Sequence, residues 1–114
     1  MGNEYYLGSF EQLVLLALIR LKDNAYGMTI RREIEERSDR AVSIGAVYAT
    51  LDRLEKKGYV KSRDGESGPA RQGRGKRFFA IEAAGRAALE ESLRCIEKLR
   101  AGLKGLGPLA RGDS

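Results

Sequence analysis

Residues 43–60, SIGAVYATLDRLEKKGYV, decide the fold of this chain. Four apolar residues recur in this stretch at about 3.6-residue spacing, which predicts an amphipathic helix with these residues on its buried face: Ile44, Val47, Leu51 and Leu54. Ser43 is a residue type that caps helix N-termini, and Gly58 suits the left-handed turn that ends a helix. We therefore expect one helix over residues 43–57, followed by an extended strand.

The opposite face of this helix is small or hydrogen-bonding near its start and cationic near its end. It carries Gly45, Ala46, Ala49, Thr50, Arg53 and Lys57, with Tyr48 at the border. Because the major groove of DNA admits a helix whose leading face is slim and polar, this pattern is typical of a DNA-recognition helix.

Two further helices are predicted before this segment. Residues 9–12, SFEQ, predict a capping box between Ser9 and Gln12 at the start of a first helix, which runs to about Lys22 and is apolar on nearly all sides. Turn residues at 23–27 then lead to a second helix over about residues 28–38, and residues 39–42 lead into the recognition helix. Two short helices joined by a tight turn, the second with a slim polar face, predict a helix-turn-helix.

After Gly58 the pattern becomes extended. Residues 59–63 and 76–81 flank a polar, glycine-rich loop at 64–75, which predicts a two-stranded hairpin. From Lys61 to Arg77 there are six Lys or Arg residues against two acids. A solvated charge run is the ordinary interpretation of such a loop, but its position directly after a recognition helix favours a DNA-binding wing. In that interpretation the minor groove or the DNA backbone is contacted by Arg71, Arg74 and Lys76.

A last helix is predicted from about Ala83 to Lys104. Its apolar stripe consists of Leu89, Leu93, Ile96, Leu99 and Leu103. Packing on the first helix would bury part of this stripe, whereas pairing with a second copy across a two-fold axis would bury all of it; pairing is favoured, because nothing else in the chain is left to cover it. The predicted organisation is a DNA-binding domain at 1–82, a dimerisation helix at 83–104 and a flexible tail at 105–114.

The composition restricts the function. The 114-residue chain has a net charge of +5, which favours a polyanionic partner, and its lack of histidine excludes imidazole catalysis and histidine-containing metal sites. The single cysteine, Cys95, cannot form an internal disulfide and suits a reducing interior. Neither a signal peptide nor a membrane span is recognisable, so we expect a cytoplasmic protein without membrane contact. The carboxylates lie on helical faces of alternating charge, so we expect no enzyme activity and no cofactor.

The order of these parts resembles the PadR-like transcriptional regulators. The matching stretches are LGSFEQLVLLAL at 7–18, AYG at 25–27 with Ile30, the 43–60 segment, and KRFFAI at 76–81 before Gly85. One departure is Glu82, which stands where the family usually has a threonine that caps the last helix. The resemblance implies a mainly α fold with a two-stranded β wing, that is, a winged helix-turn-helix plus a C-terminal dimerisation helix, in a short member that works as a homodimeric repressor.

The resemblance also implies a small-molecule effector near the dimer interface that changes the spacing of the two recognition helices. Members respond to phenolic acids, antibiotics or other amphipathic molecules, and in some short members a tryptophan of the last helix lines the effector cavity. This chain has no tryptophan, and its last helix has no aromatic residue. That mode of binding therefore does not carry over, and the effector stays unidentified.

Together these patterns predict a regulator that binds double-stranded DNA at a palindromic operator. Phosphate contacts are expected from the Tyr26 hydroxyl, the backbone amides near Ser43, Lys57 and Lys61. Base contacts are expected from Gly45, Ala46, Ala49, Thr50 and Arg53, while Tyr48 serves either as a core ring or as a phosphate donor. The alternative is a winged-helix module that binds protein or RNA without specific duplex recognition.

Overall fold

The fold follows from a computed structural model that describes residues 7–65 and 76–106. Along the chain lie α1 (Ser9–Leu21), a short 3-10 turn (Lys22–Asn24), α2 (Gly27–Ser38), α3 (Ile44–Lys56), β1 (Val60–Asp64), β2 (Arg77–Ile81) and α4 (Ala83–Arg100). The predicted mainly α fold, a winged helix-turn-helix followed by a C-terminal helix, is confirmed. Within the described ranges, no helix combines the length and apolar character that crossing a bilayer requires.

The central element is α1, which packs against α2, α3, β2 and α4. Val14, Leu15 and Leu18 are buried in the core, and Leu13 and Ile19 are half-buried against it. A helix contacted from several directions needs apolar residues on more than one face, which explains the unusual apolar pattern of this segment.

The start of α1 differs from the predicted capping box. Gly8, not Ser9, is the N-cap residue, and its N–H donates to Oε1 of Glu11 at 2.9 Å. The amide of Gln12 instead donates to the carbonyl of Leu7 at 3.1 Å. The prediction was wrong because it paired Ser9 with a neutral amide, whereas the carboxylate one residue earlier is the stronger hydrogen-bond acceptor.

Local hydrogen bonds fix both ends of α2. At its start, the N–H of Tyr26 donates to the hydroxyl of Thr29 at 2.9 Å. At its end, Asp39 adopts the left-handed conformation with φ 58°, and the carboxylate of Glu35 accepts from the N–H of Val42 at 2.9 Å. The turn between α2 and α3 is therefore held by a side chain of α2.

The residues predicted to bound α3 do so. The hydroxyl of Ser43 accepts from the N–H of Ala46 at 3.1 Å, and Gly58 adopts a φ of 82° directly after the helix. Between them, the apolar face is buried, with Val47, Leu51 and Leu54 in the core.

The wing is an antiparallel pair in which Val60 lies opposite Ile81 and Ser62 opposite Phe79. The segment between α1 and α2 also reaches β2: the N–H of Phe79 donates to the carbonyl of Ala25 at 2.9 Å, and Tyr26 forms an isolated bridge with Phe78. The sequence predicted the two strands but not this extra bridge, which ties the wing to the start of α2.

Only the first part of α4 belongs to the core. Gly85, Ala88 and Leu89 are buried, and Leu89 is 2% exposed. The inclusion of Leu89 in the dimerisation stripe is therefore corrected, because a side chain covered by its own chain offers no surface to a partner. The helix ends at Arg100 rather than near Lys104, so Leu103 lies beyond its end.

Candidate nucleic-acid interface

The slim face that the sequence predicted on α3 lies on the surface. Gly45, Ala46 and Ala49 are exposed, and a Cβ atom built on Gly45 meets nothing within 4 Å. Gly45, Ala49 and Arg53 follow each other at intervals of four residues, so they form one row along the helix. The backbone of another molecule can approach this row closely, and the cation Arg53 lies at its C-terminal end.

The N-terminus of α3 faces solvent beside this row. Ser43, Gly45 and Ala46 are all exposed, and the Ser43 hydroxyl satisfies one of the backbone N–H groups of the first turn. The other amides of that turn have no helical carbonyl to bond, and the helix dipole places partial positive charge on them. This end of α3 can therefore accept a phosphate.

Tyr48 lies beside this face, with 46% of its surface exposed. Its ring is placed over the backbone of Gly27 at the start of α2, where a Cβ atom would lie within 2.9 Å of Cε2 and nearer still to the hydroxyl oxygen. The aromatic ring packs against α2, and the hydroxyl lies close to the N-terminus of that helix. The structure thus places Tyr48 on the surface and not in the core.

Thr50 differs from the other predicted base-reading residues. Its side chain is buried, at 2% exposure, and its hydroxyl accepts from Nη2 of Arg53 at 3.2 Å. The prediction that Thr50 contacts a base is corrected, because the side chain points inward and is already used by Arg53. Thr50 follows Val47 by three residues, so it shares the buried stripe of α3.

Two of the predicted cations converge on one buried carboxylate, Glu11 of α1. Nζ of Lys57 lies 3.1 Å from Oε2 of Glu11, and Nε of Arg53 lies 3.6 Å from the same oxygen. Burial alone would raise the pKa of Glu11, but the hydrogen bond from Gly8 and the charges of Lys57 and Arg53 outweigh it and hold the pKa below its ordinary value. Glu11 is therefore ionised at neutral pH and neutralises part of the charge of α3.

Aromatic rings and cations alternate on the outer side of the wing. The rings of Tyr26 and Phe78 meet edge to face, with centroids 5.4 Å apart. Nζ of Lys76 lies 4.9 Å from the Tyr26 ring, and the guanidinium of Arg63 lies 4.8 Å from the Phe78 ring. Cations over ring faces are attracted by the ring quadrupole, so these contacts hold two positive charges near the loop end of the wing. Lys61, on the same strand as Arg63, is exposed.

Arg77 turns away from this outer side. Its Nη2 lies 3.3 Å from Oε1 of Glu55 on α3 and 2.9 Å from the hydroxyl of Ser62, which itself donates to Glu55 at 2.8 Å. Arg77, counted in the sequence as part of the basic run, thus joins the wing to α3 instead of adding to the cationic surface. Arg71 and Arg74, predicted as wing contacts, lie outside the described residues.

The sequence interpretation missed that Glu11 and Glu55 bind cations beside this surface. A local signal for Glu11 existed, since a glutamate three residues after Gly8 is the second half of a capping box. Its pairing with Lys57, 46 positions away, has no local signature. Glu55 is one of two acids on α3, a helix of mixed charge, and its partners become evident once the register of the hairpin is known.

Comparisons with known proteins agree with this architecture. The sequence profile described as "Transcriptional regulator PadR-like family" matches residues 15–91. A comparison with curated proteins gives no match. Among solved structures, a PadR family transcription regulator from hypervirulent Clostridium difficile R20291 is similar, with 28% identity and a TM-score of 0.65 over 82% of this chain and 95% of that chain.

Two further structures share the fold at lower identity. A PadR-like transcription factor from Bacteroides fragilis has 24% identity and a TM-score of 0.69, with 82% of this chain and 84% of that chain covered. Bacillus subtilis PadR in complex with operator DNA has 18% identity and a TM-score of 0.64, with 75% of this chain and 47% of that chain covered. The described residues therefore share their fold with a protein that has been solved in complex with operator DNA.

Proposed function

Since the chain belongs to the PadR-like family of transcriptional regulators, we propose that it is a homodimeric repressor that reads a palindromic operator with α3. The observation that carries the proposal is the row formed by Gly45, Ala49 and Arg53, which is slim at a capped helix N-terminus and cationic at its other end. A helix with these features suits the major groove, because small side chains permit close approach to base edges.

The proposed contacts divide into base reading and phosphate binding. Gly45, Ala46 and Ala49 allow close approach to the base edges, and Arg53 contacts a guanine or a neighbouring phosphate. The amides at Ser43 and the hydroxyls of Tyr26 and Tyr48 are proposed to hold phosphates, together with Lys57 and Lys61. The solved complex of Bacillus subtilis PadR with operator DNA supports duplex DNA as the ligand of this fold.

The wing is proposed to add affinity more than specificity. Lys76 lies over the Tyr26 ring directly before β2, and Arg71 and Arg74 precede it in the sequence of the loop. Arginines on a loop beside a recognition helix can enter a narrow minor groove or bind the backbone. We therefore assign to the wing contacts that depend weakly on base sequence.

Dimerisation is proposed to use the second half of α4. Leu93 and Ile96 are about two-fifths exposed, and Leu99 is 75% exposed. Leu103, beyond the helix end, is 58% exposed. Apolar side chains at this spacing suit pairing with a second copy across a two-fold axis, which in turn requires half-sites about 34 Å apart, one turn of duplex.

Repression, location and effector complete the proposal. The regulator is proposed to act in the cytoplasm, where a protein bound at the operator blocks access to the promoter. An unidentified small-molecule effector would change the spacing of the two α3 helices. Family membership supports this step, but α4 has no aromatic residue, so the effector would meet a surface of aliphatic side chains.

The proposal is tested by selecting DNA from a random-sequence duplex library with the full-length protein. Titrations of selected and scrambled duplexes, followed by fluorescence anisotropy, then give two affinities for each variant. Arg53→Ala should weaken binding to the selected duplex more than to the scrambled one, whereas Lys61→Ala should weaken both by similar factors. Lys98→Ala, which removes an equal charge from α4, is the matched control and should change neither affinity.

Salt dependence provides a second criterion. With four or five phosphate contacts per subunit, a plot of log affinity against log salt should have a slope on the order of −8. A slope shallower than about −2 would contradict the electrostatic part of the proposal. Failure to enrich any duplex, with tighter binding to single-stranded RNA, would favour the alternative winged-helix module that does not recognise specific duplex sequences.

A further inference from the structure

Glu11 has no direct place in a DNA interface, because its side chain is 9% exposed and lies at the start of α1. Its two oxygens are nevertheless fully engaged. Oε1 accepts from the N–H of Gly8 at 2.9 Å, and Oε2 lies 3.1 Å from Nζ of Lys57 and 3.6 Å from Nε of Arg53. The hydrogen bond from the Gly8 N–H holds one oxygen of this carboxylate at the start of α1. Lys57 and Arg53 both lie around this carboxylate, on the side of Oε2.

The consequence is greatest for Arg53, whose guanidinium is held from two directions. Nε faces Glu11, and Nη2 donates to the buried hydroxyl of Thr50 at 3.2 Å. Thr50 is itself buried, at 2% exposure, so the core surrounds the hydroxyl that accepts from Arg53. Because a guanidinium is planar, the hydrogen bond at Nη2 and the carboxylate charge facing Nε together favour one direction for its remaining N–H groups. The side chain is still 57% exposed, so those groups lie at the surface, at the end of the slim row of α3.

We propose that Glu11 is a positioning residue for DNA recognition, which fixes the Arg53 guanidinium, together with Thr50, in the orientation that contacts a base edge. This inference rests on the proposed function. A fixed guanidinium loses little further conformational freedom when it binds a base, whereas an unrestrained one can also turn to the nearest phosphate. With Glu11 in place, Arg53 contacts a base edge selectively, whereas without it Arg53 would bind phosphates generally.

The buried negative charge has a second effect on the same interface. It lies behind two cations and reduces their attraction to every phosphate, whatever the sequence. Removal of the charge should therefore strengthen binding to unselected DNA or leave it unchanged, while it weakens binding to selected DNA. If Glu11 positions Arg53, the affinities for the selected and scrambled duplexes change in opposite directions or by unequal factors. A general electrostatic effect would change both affinities by the same factor.

The test compares Glu11→Gln with wild type on the selected and scrambled duplexes. Glutamine keeps the shape of the side chain and an acceptor for the Gly8 amide, but it removes the charge that orients Arg53. We expect the ratio of the two affinities to fall about tenfold, the scale of one good base contact. Because partial unfolding lowers both affinities by the same factor, it leaves this ratio unchanged.

Two controls identify the path of the effect. Glu33→Gln removes another carboxylate that binds two arginines, Arg20 at 3.0 Å and Arg37 at 2.7 Å, and it should leave the ratio unchanged. In an Arg53→Ala background, Glu11→Gln should no longer change the ratio, because the residue through which it acts is missing.

The outcomes separate the inference from the proposed function. An equal change of both affinities in Glu11→Gln, or a fall of the ratio that persists in the Arg53→Ala background, overturns the positioning role alone. A wild-type protein that does not discriminate between the duplexes overturns the proposed function and, with it, this inference.

Discussion

Gly85, in the first turn of α4, lies directly against the backbone of Tyr59 at the entrance to β1. The carbonyl oxygen of Tyr59 accepts from the N–H of Glu82 at 2.8 Å, and a Cβ atom on Gly85 would lie 3.0 Å from the carbonyl carbon and nearer still to the oxygen. The contact involves main-chain atoms, which cannot move aside as a side chain can. The start of α4 is thus fixed to the turn that follows α3.

Gly85→Ala should therefore destabilise the protein. The added methyl group must push α4 away from Tyr59, and overpacking of this kind typically costs about 1–3 kcal/mol. Gly45→Ala is the matched control, because its new Cβ meets nothing within 4 Å and alanine is favoured over glycine in helices by up to about 1 kcal/mol. Urea unfolding of both variants measures the difference. A Gly85→Ala protein as stable as wild type would show that this contact does not constrain α4.

The same control makes a prediction of its own. Gly45→Ala should raise the free energy of unfolding and yet weaken binding to the selected duplex, because the methyl group stands on the face of α3 that is proposed to approach base edges. Stability and affinity would then change in opposite directions, which separates the interface from the fold. Anisotropy titration beside the urea series tests this, and an unchanged affinity would place Gly45 outside the interface.

Local features of α3 were predictable from sequence because each has a short-range cause. Ser43 caps the helix because its hydroxyl reaches an amide three residues later, and Gly58 ends it because a φ of 82° is accessible to glycine. The apolar spacing of Val47, Leu51 and Leu54 follows from the helical repeat. Such causes are contained within one turn of chain, so the sequence shows them directly.

Other features depend on partners far away in the chain, which the sequence does not reveal. Thr50 looks like a surface residue until the core closes over it. Leu89 looks like the first residue of a dimerisation stripe until the core is seen to enclose it, and Glu11 looks like a helix cap until its contact with Lys57, directly after α3, is known. In each case a local pattern was read correctly as helical, but tertiary packing decided which side of the helix was buried.

The N-cap of α3 can separate folding from DNA binding. Ser43→Ala should cost about 1 kcal/mol of stability, because the Ala46 amide loses its acceptor. Ser43→Asp should keep stability near that of wild type, since aspartate also caps, but it should weaken DNA binding because its charge would repel a phosphate at this helix end. Thermal unfolding and anisotropy on both variants test this. Undiminished DNA binding by Ser43→Asp would exclude a phosphate at the α3 N-terminus.

A charge introduced on the exposed half of α4 should disrupt the proposed dimer. Leu99→Glu should produce monomers at micromolar concentration with an unchanged helical circular dichroism signal, because Leu99 is 75% exposed in the single chain. Ala87→Glu introduces the same charge at an exposed α4 position off the apolar stripe and should leave the dimer intact. Analytical ultracentrifugation distinguishes the two states, and a Leu99→Glu dimer as tight as wild type would move the interface elsewhere.

The last prediction concerns the acid stability that Glu11 provides. Its pKa in the folded protein is lowered from the ordinary value of 4.5, so its contribution to stability is present above that value and is lost as the pH falls through the lowered pKa. Glu11→Gln should be less stable than wild type at pH 7, by about 1 kcal/mol, since the partly exposed Lys57 and Arg53 are screened by solvent.

That difference should shrink as the pH falls below about 4.5, because protonated Glu11 no longer attracts the two cations. Glu33→Gln is the comparison: Arg37, with Arg20, also lowers the pKa of Glu33, but these arginines are half or more exposed, so the difference at pH 7 should be smaller. Urea unfolding at a series of pH values measures both differences. If the Glu11→Gln difference persisted unchanged to pH 3, the loss would come from altered packing, and the charge of Glu11 would not be what holds α1 to α3.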